Sequence, residues 1–149
     1  MSYNKIVVGI DGSNTASKAM KEAAELSKLV DGSLLVVSAY EPPDPQEIAR
    51  WQSESPADMS WRFTGTAIVE EVLERAQRQL ESQEGVNSQA LFREGEAADA
   101  LISVAEDEKA DLIVVGNKGM SGAQRFLLGS VPNKVTHHAP CDVLIVKTT

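Results

Sequence analysis

The sequence predicts an open α/β fold, a five-stranded and mainly parallel sheet with helices on both faces. Three observations predict it. Five short runs, KIVVGI, SLLVVSA, SQALFR, LIVVG and VLIVK, recur along the chain. Most are continuous in β-branched and aliphatic residues, as expected of strands buried on both faces of a parallel sheet. Helical periodicity separates the runs from one another, and strands alternating with helices argue for parallel crossovers.

The elements follow in order. Lys5–Ile10 is the first strand, and Gly12 and Ser13 lead from it into a helix. That helix carries one apolar stripe, Ala19, Ala23, Leu26 and Val30, and ends at Asp31 and Gly32. Ser33–Ala39 is the second strand. From Tyr40 to about Gly65 the character changes: Pro42, Pro43, Pro45 and Pro56 fall here with Trp51 and Trp61, and a short helix is expected around Glu47–Gln52. A loop of this length reads either as a flap or interaction segment or as a plain surface excursion. Thr66–Glu84 is the strongest helix, with Val69, Val72, Leu73, Ala76 and Leu80 on one face and Gly85 closing it. Ser88–Arg93 is a weaker third strand. Glu96–Lys109 follows as a helix with Ala97, Leu101, Val104 and Ala105 inward. Leu112–Gly116 is the fourth strand, Ser130–His138 the last helix and Val143–Lys147 the fifth strand.

At 149 residues the chain fits one domain, residues 1–149, with room for a substantial core. The single cysteine, Cys141, can form no internal disulfide and reads as a small buried residue beside the last strand. The net charge of −8 works against nucleic-acid binding, and no basic run offsets it. No apolar run approaches membrane-span length, and MSYNKIVVGIDGS lacks the apolar core and cleavage site of an export signal, so a cytoplasmic location is expected.

Two strand ends carry polar, glycine-rich loops: Asp11, Gly12 and Ser13 after the first, and Gly116 onward after the fourth. In open α/β sheets, ligands bind outside the carboxyl ends of the strands where the strand order reverses. If the first and fourth strands are neighbours, the two loops face each other across one crevice. An ionised Asp11 only accepts hydrogen bonds, which suits ribose hydroxyls. Gly116 and Gly119 would let the backbone approach anionic oxygens. Gly129, Ser130 and Val131 open a helix, where unpaired N–H groups and the positive dipole end attract phosphate. Each piece alone has a plainer reading: a turn and helix cap at Asp11–Ser13, a tight strand exit at Gly116 and Gly119, an N-cap at Ser130.

Joint spacing changes this. Gly116, Gly119 and Gly129-Ser130 make G-x2-G-x9-G-S, which is neither the Walker pattern nor the dinucleotide fingerprint. It resembles the nucleotide-binding motif of the universal stress protein family. KIVVGIDGS, VVGNKGMSGAQRFLLGSV and HAPCDVLIV are similar to that family's landmarks across essentially the whole chain. The resemblance implies a Rossmann-like sheet in the order 3-2-1-4-5, ATP binding, and a homodimer in which the last strands, here Val143–Lys147, pair. It further implies that Asp11 meets the ribose and the backbone at Ala39 meets adenine. Gly116, Gly119, Gly129, Ser130 and Val131 would hold ribose and phosphates, and Val7 to Ile10, including Gly9, would form the floor. Lys118 stands where members often have arginine and would reach a phosphate as a point charge. Asp142 replaces the second proline of a common HAPCPV, outside the motif.

No catalytic constellation emerges, and no metal site. His137 and His138 fall late in the last helix, where histidine suits the dipole. Three functions fit: a nucleotide-responsive regulatory protein, a weak ATP hydrolase or phosphotransferase, and a partner-binding module with a structural nucleotide. AMP or cyclic AMP would satisfy the same cradle as ATP, and magnesium would accompany ATP.

Overall fold

The computed structural model describes residues 3–41, 45–54, 66–117 and 128–148. The elements are β1 (Lys5–Gly9), α1 (Asn14–Leu29), β2 (Ser33–Tyr40), α2 (Pro45–Glu54), α3 (Thr66–Glu81), β3 (Asn87–Glu94), α4 (Ala97–Asp107), β4 (Leu112–Gly116), α5 (Ser130–His138) and β5 (Asp142–Val146). The five strands form one sheet in the order β3-β2-β1-β4-β5, with every pairing parallel.

Alternation along the central strands builds two cores. Ile6, Val8, Leu34, Val36, Leu112 and Val114 face Ala19, Met20, Ala23 and Ala24 of α1 and Val69, Leu73, Ala76 and Leu80 of α3. Val7, Leu35, Val37, Ile113 and Val115 face Ala98, Leu101, Val104 and Ala105 of α4 and Val135 of α5. Helices therefore cover both faces, as the continuous apolar strands require.

Element bounds differ from the sequence reading in instructive places. The stripe of α1 is centred on Ala19, Met20, Ala23, Ala24 and Ser27, while Leu26 and Val30 are only half-buried. Leu26 and Val30 pack at the edge of the same core. Helix α3 stops at Glu81 and α4 at Asp107, each just after its last apolar periodic residue, Leu80 and Ala105, and short of the expected Glu84 and Lys109. The last strand begins at Asp142 and leaves out Lys147, because the register pairs Leu112 with Asp142 and Gly116 with Val146.

The turn from β1 to α1 is built locally. Gly12 has φ of 87°, a conformation that glycine adopts without a Cβ penalty. The Ser13 N–H donates to Asp11 Oδ1 at 2.9 Å, and Ser13 Oγ accepts from the Ala16 N–H at 3.2 Å, capping α1. At the other end of the sheet Asp111 Oδ2 accepts from the Asn4 and Lys5 N–H groups, each at 2.9 Å, and fixes the start of β1.

Candidate nucleotide site

With β1 and β4 adjacent, the strand order reverses between them, and a cavity of about 470 Å³ opens at their carboxyl ends. Gly9, Ile10, Asp11, Ala39, Gly116, Gly129, Ser130 and Val131 all line it. The remaining two residues singled out from the sequence, Lys118 and Gly119, lie outside the described residues, as does the Trp61 portion of the proline-rich segment. Val7 and Val8, expected as floor, are fully buried in the two cores below, and the floor itself is Gly9 and Ile10.

The structure places several groups differently from their sequence reading. Gly116 was expected to admit a ligand. Its backbone lines the cavity, and a Cβ built there would lie 3.2 Å from Thr148 Cγ2, as one at Gly9 would lie 3.1 Å from Leu101 Cδ1. Both glycines make room for internal packing. The Gly129 N–H is already engaged: it donates to the Asn117 carbonyl at 3.0 Å. The donors left by the start of α5 begin at Ser130 and Val131, whose N–H groups belong to the first turn and have no partner within the helix. Pro132 has no N–H, and the Asn133 N–H already reaches the Gly129 carbonyl at 3.1 Å. No acidic residue occupies this first turn, so nothing within α5 itself offsets the positive end of its dipole at the cavity.

Asp11 is exposed at the rim, with Oδ1 engaged by the turn that caps α1. The turn reading and the ligand reading are thus compatible, since one carboxylate has more acceptor capacity than one N–H uses. Cys141 is half-buried rather than fully buried, and packs beside the α4/α5 core. Burial, reinforced by the charges of Asp142 and Asp111, pushes its thiol above the ordinary range, which suits packing better than redox chemistry. His137 and His138 are exposed at the end of α5, away from the cavity. Among the described residues no group of three or more His, Cys, Asp or Glu is placed to hold a metal ion.

Sequence reasoning missed Asn117. Its N–H donates to the Val146 carbonyl at 2.9 Å, and its carbonyl receives Gly129. Its Oδ1 accepts from both the N–H and the hydroxyl of Thr148, at 2.8 and 2.9 Å. One asparagine therefore joins the end of β4, the start of α5 and the chain end beyond β5. No local pattern signals this, because its partners lie 12, 29 and 31 positions away. Asn117→Ala should lower stability by about 1–3 kcal/mol, the range for leaving buried donors unpaired, whereas Asn117→Asp, which keeps the acceptor, should lose less. Thermal denaturation of the two variants checks this.

The apolar part of the wall was also not foreseen: Val69 and Val72 of α3 and Ala97 and Leu101 of α4 close on the cavity from opposite faces of the sheet. A cavity with an apolar end and convergent polar groups is the usual form of a small-molecule site.

Residues 2–147 match the family model described as the universal stress protein family. Universal stress protein Rv1636 of Mycobacterium tuberculosis is 40% identical over 148 residues, covering 99% of either chain. Among solved structures, a universal stress protein in complex with cAMP is 30% identical, covers 100% of both chains and superposes with a TM-score of 0.75. The universal stress protein of Archaeoglobus fulgidus in complex with dAMP is 25% identical, with a TM-score of 0.67 and coverage of 99% of this chain and 100% of that one. Sequence, strand order and crevice converge, and the chain belongs to the universal stress protein family.

Proposed function

We propose that this protein binds an adenine nucleotide in the β1/β4 crevice and acts as a nucleotide-responsive regulator in stress response, residues 1–149 forming one domain in the cytoplasm. The observation that carries the reading is the gathering of Asp11, Ser130 and Val131 with an apolar wall in one cavity of about 470 Å³. The apolar end suits a purine and the Asp11 carboxylate suits ribose hydroxyls. The open N–H groups of α5 suit a phosphate. The neighbours in complex with cAMP and dAMP support the adenine-nucleotide class.

ATP, AMP and cyclic AMP are the ligands to compare, with magnesium carried by the ATP oxygens and Lys118 and Gly119 adding to the phosphate cradle. Regulation follows if the nucleotide favours one of two arrangements of the protein. The second copy of this chain is its proposed partner: β5 is an edge strand, with Leu144 39% exposed and Val143, Ile145 and Val146 half-buried, and such an edge calls for covering.

Calorimetric titration of nucleotide-stripped protein with ATP, ADP, AMP and cyclic AMP, with and without magnesium, tests the reading. At least one should bind, and Gly129→Ala, which adds a methyl group to a residue of the cavity wall beside the Ser130 and Val131 donors, should weaken that binding about tenfold or more. The variant should still fold, because the φ of −64° and ψ of 169° at Gly129 are accessible to alanine. Absence of binding by the folded protein, or wild-type affinity in the variant, would overturn it.

A further inference from the structure

Ser38, near the carboxyl end of β2, is 3% exposed. Side chains along β2 alternate: Leu34 and Val36 join the α1/α3 core, Leu35 and Val37 the α4/α5 core. Ser38 therefore falls on the α1/α3 side, the side on which Ile10, Val69 and Val72 wall the cavity.

Buried hydroxyls nearly always have a hydrogen-bond partner, yet among the described residues none engages the Ser38 hydroxyl. Nor is any side-chain nitrogen or oxygen there both sealed from solvent and unpaired. The small accessible surface of Ser38 must then include its hydroxyl, open to the cavity that the residue lines. The other polar side chains of the wall stand elsewhere. Ser13 and Thr15 bond each other at 3.1 Å and Asp11 receives Ser13, all in the β1/α1 connection, while Ser130 starts α5. Ser38 is the polar side chain described at the apolar end.

We infer that the Ser38 hydroxyl reads the base: it hydrogen-bonds a heteroatom on the edge of a purine seated against Val69 and Val72, and so helps to set which base the cavity accepts. The inference rests on the nucleotide reading above. A hydroxyl can donate or accept. A base without a matching atom would cover it and leave it unpaired, and sites built to hydrogen-bond a ligand group discriminate in this way.

The test compares wild type and Ser38→Ala against AMP, its 1-deaza, 3-deaza and 7-deaza analogues, and purine riboside 5′-monophosphate, which lacks the 6-amino group. One analogue should bind wild type about three- to tenfold more weakly than AMP, Ser38→Ala should lose a similar factor for AMP, and the two losses should not multiply when combined. A merely structural serine would give losses that multiply for every analogue. That result, or wild-type AMP affinity in Ser38→Ala, would overturn the inference while leaving the nucleotide site standing. Failure of wild type to bind any nucleotide would remove the site reading itself, and the base contact with it.

Discussion

Ser130→Asp should leave the protein folded, with a melting temperature equal to or slightly above wild type, while lowering affinity for AMP or ATP about 30- to 1000-fold. The two effects have opposite signs because they share one cause. Ser130 is the first residue of α5, exposed, with no acidic neighbour in its turn. A carboxylate there meets the positive end of the helix dipole and stabilises it by about 0.3–1 kcal/mol. The same carboxylate would face a phosphate drawn to the Ser130 and Val131 N–H groups. Two negative charges about 4–8 Å apart at an effective dielectric near 20 repel by roughly 2–4 kcal/mol, which is the stated loss in affinity. Adenosine, without a phosphate, should bind both proteins within about twofold. Calorimetry with the three ligands and one melting curve read all of this. Undiminished AMP affinity would show that the start of α5 takes no part in the cradle.

Ile113→Ala is expected to show the reverse pattern, a large loss of stability with little change in affinity for molecules that remain folded. Ile113 is 0% exposed in the middle of β4, paired with Val7 on one side and Val143 on the other. It packs in the α4/α5 core. Truncating a buried isoleucine to alanine costs about 2–5 kcal/mol, depending on how far the cavity collapses. For a domain of this size, about 3 kcal/mol corresponds to a fall in melting temperature of roughly 6–12 °C. A nucleotide at a hundredfold excess over its Kd would return about 2.7 kcal/mol to both proteins by mass action. Denaturation scans with and without ligand test both statements. A loss below about 1 kcal/mol would show that the β4 layer tolerates a cavity.

Legibility from sequence varied by element and for identifiable reasons. The faces of α3 were plain because Val69, Leu73, Ala76 and Leu80 recur at helical spacing, and all four are buried. In α1 the stripe was legible in part: Ala19 and Ala23 are buried and Leu26 and Val30 pack at the edge of the same core, while the adjacent Met20, Ala24 and Ser27, also buried, fell outside the spacing that was read. Asp11, Gly129 and Ser130 were legible as a group since each belongs to a short local motif at the end of a strand or the start of a helix. Ser38 was not: one serine in an apolar strand has no periodicity to report.

The sequence by itself determined the succession of strands and helices, the parallel sheet with two covered faces, and the polar loops after β1 and β4. Those features depend on interactions within a few residues of one another and on which side chains avoid water. Tertiary structure alone decided which of the candidate groups are free to act. It directed Gly9 and Gly116 toward Leu101 and Thr148, and it tied the Gly129 N–H to Asn117. It also left the buried Ser38 lining the cavity. A hydrogen bond or a close contact between residues far apart in the chain is settled only when the sheet brings them within a few ångströms, and local sequence carries no record of that distance.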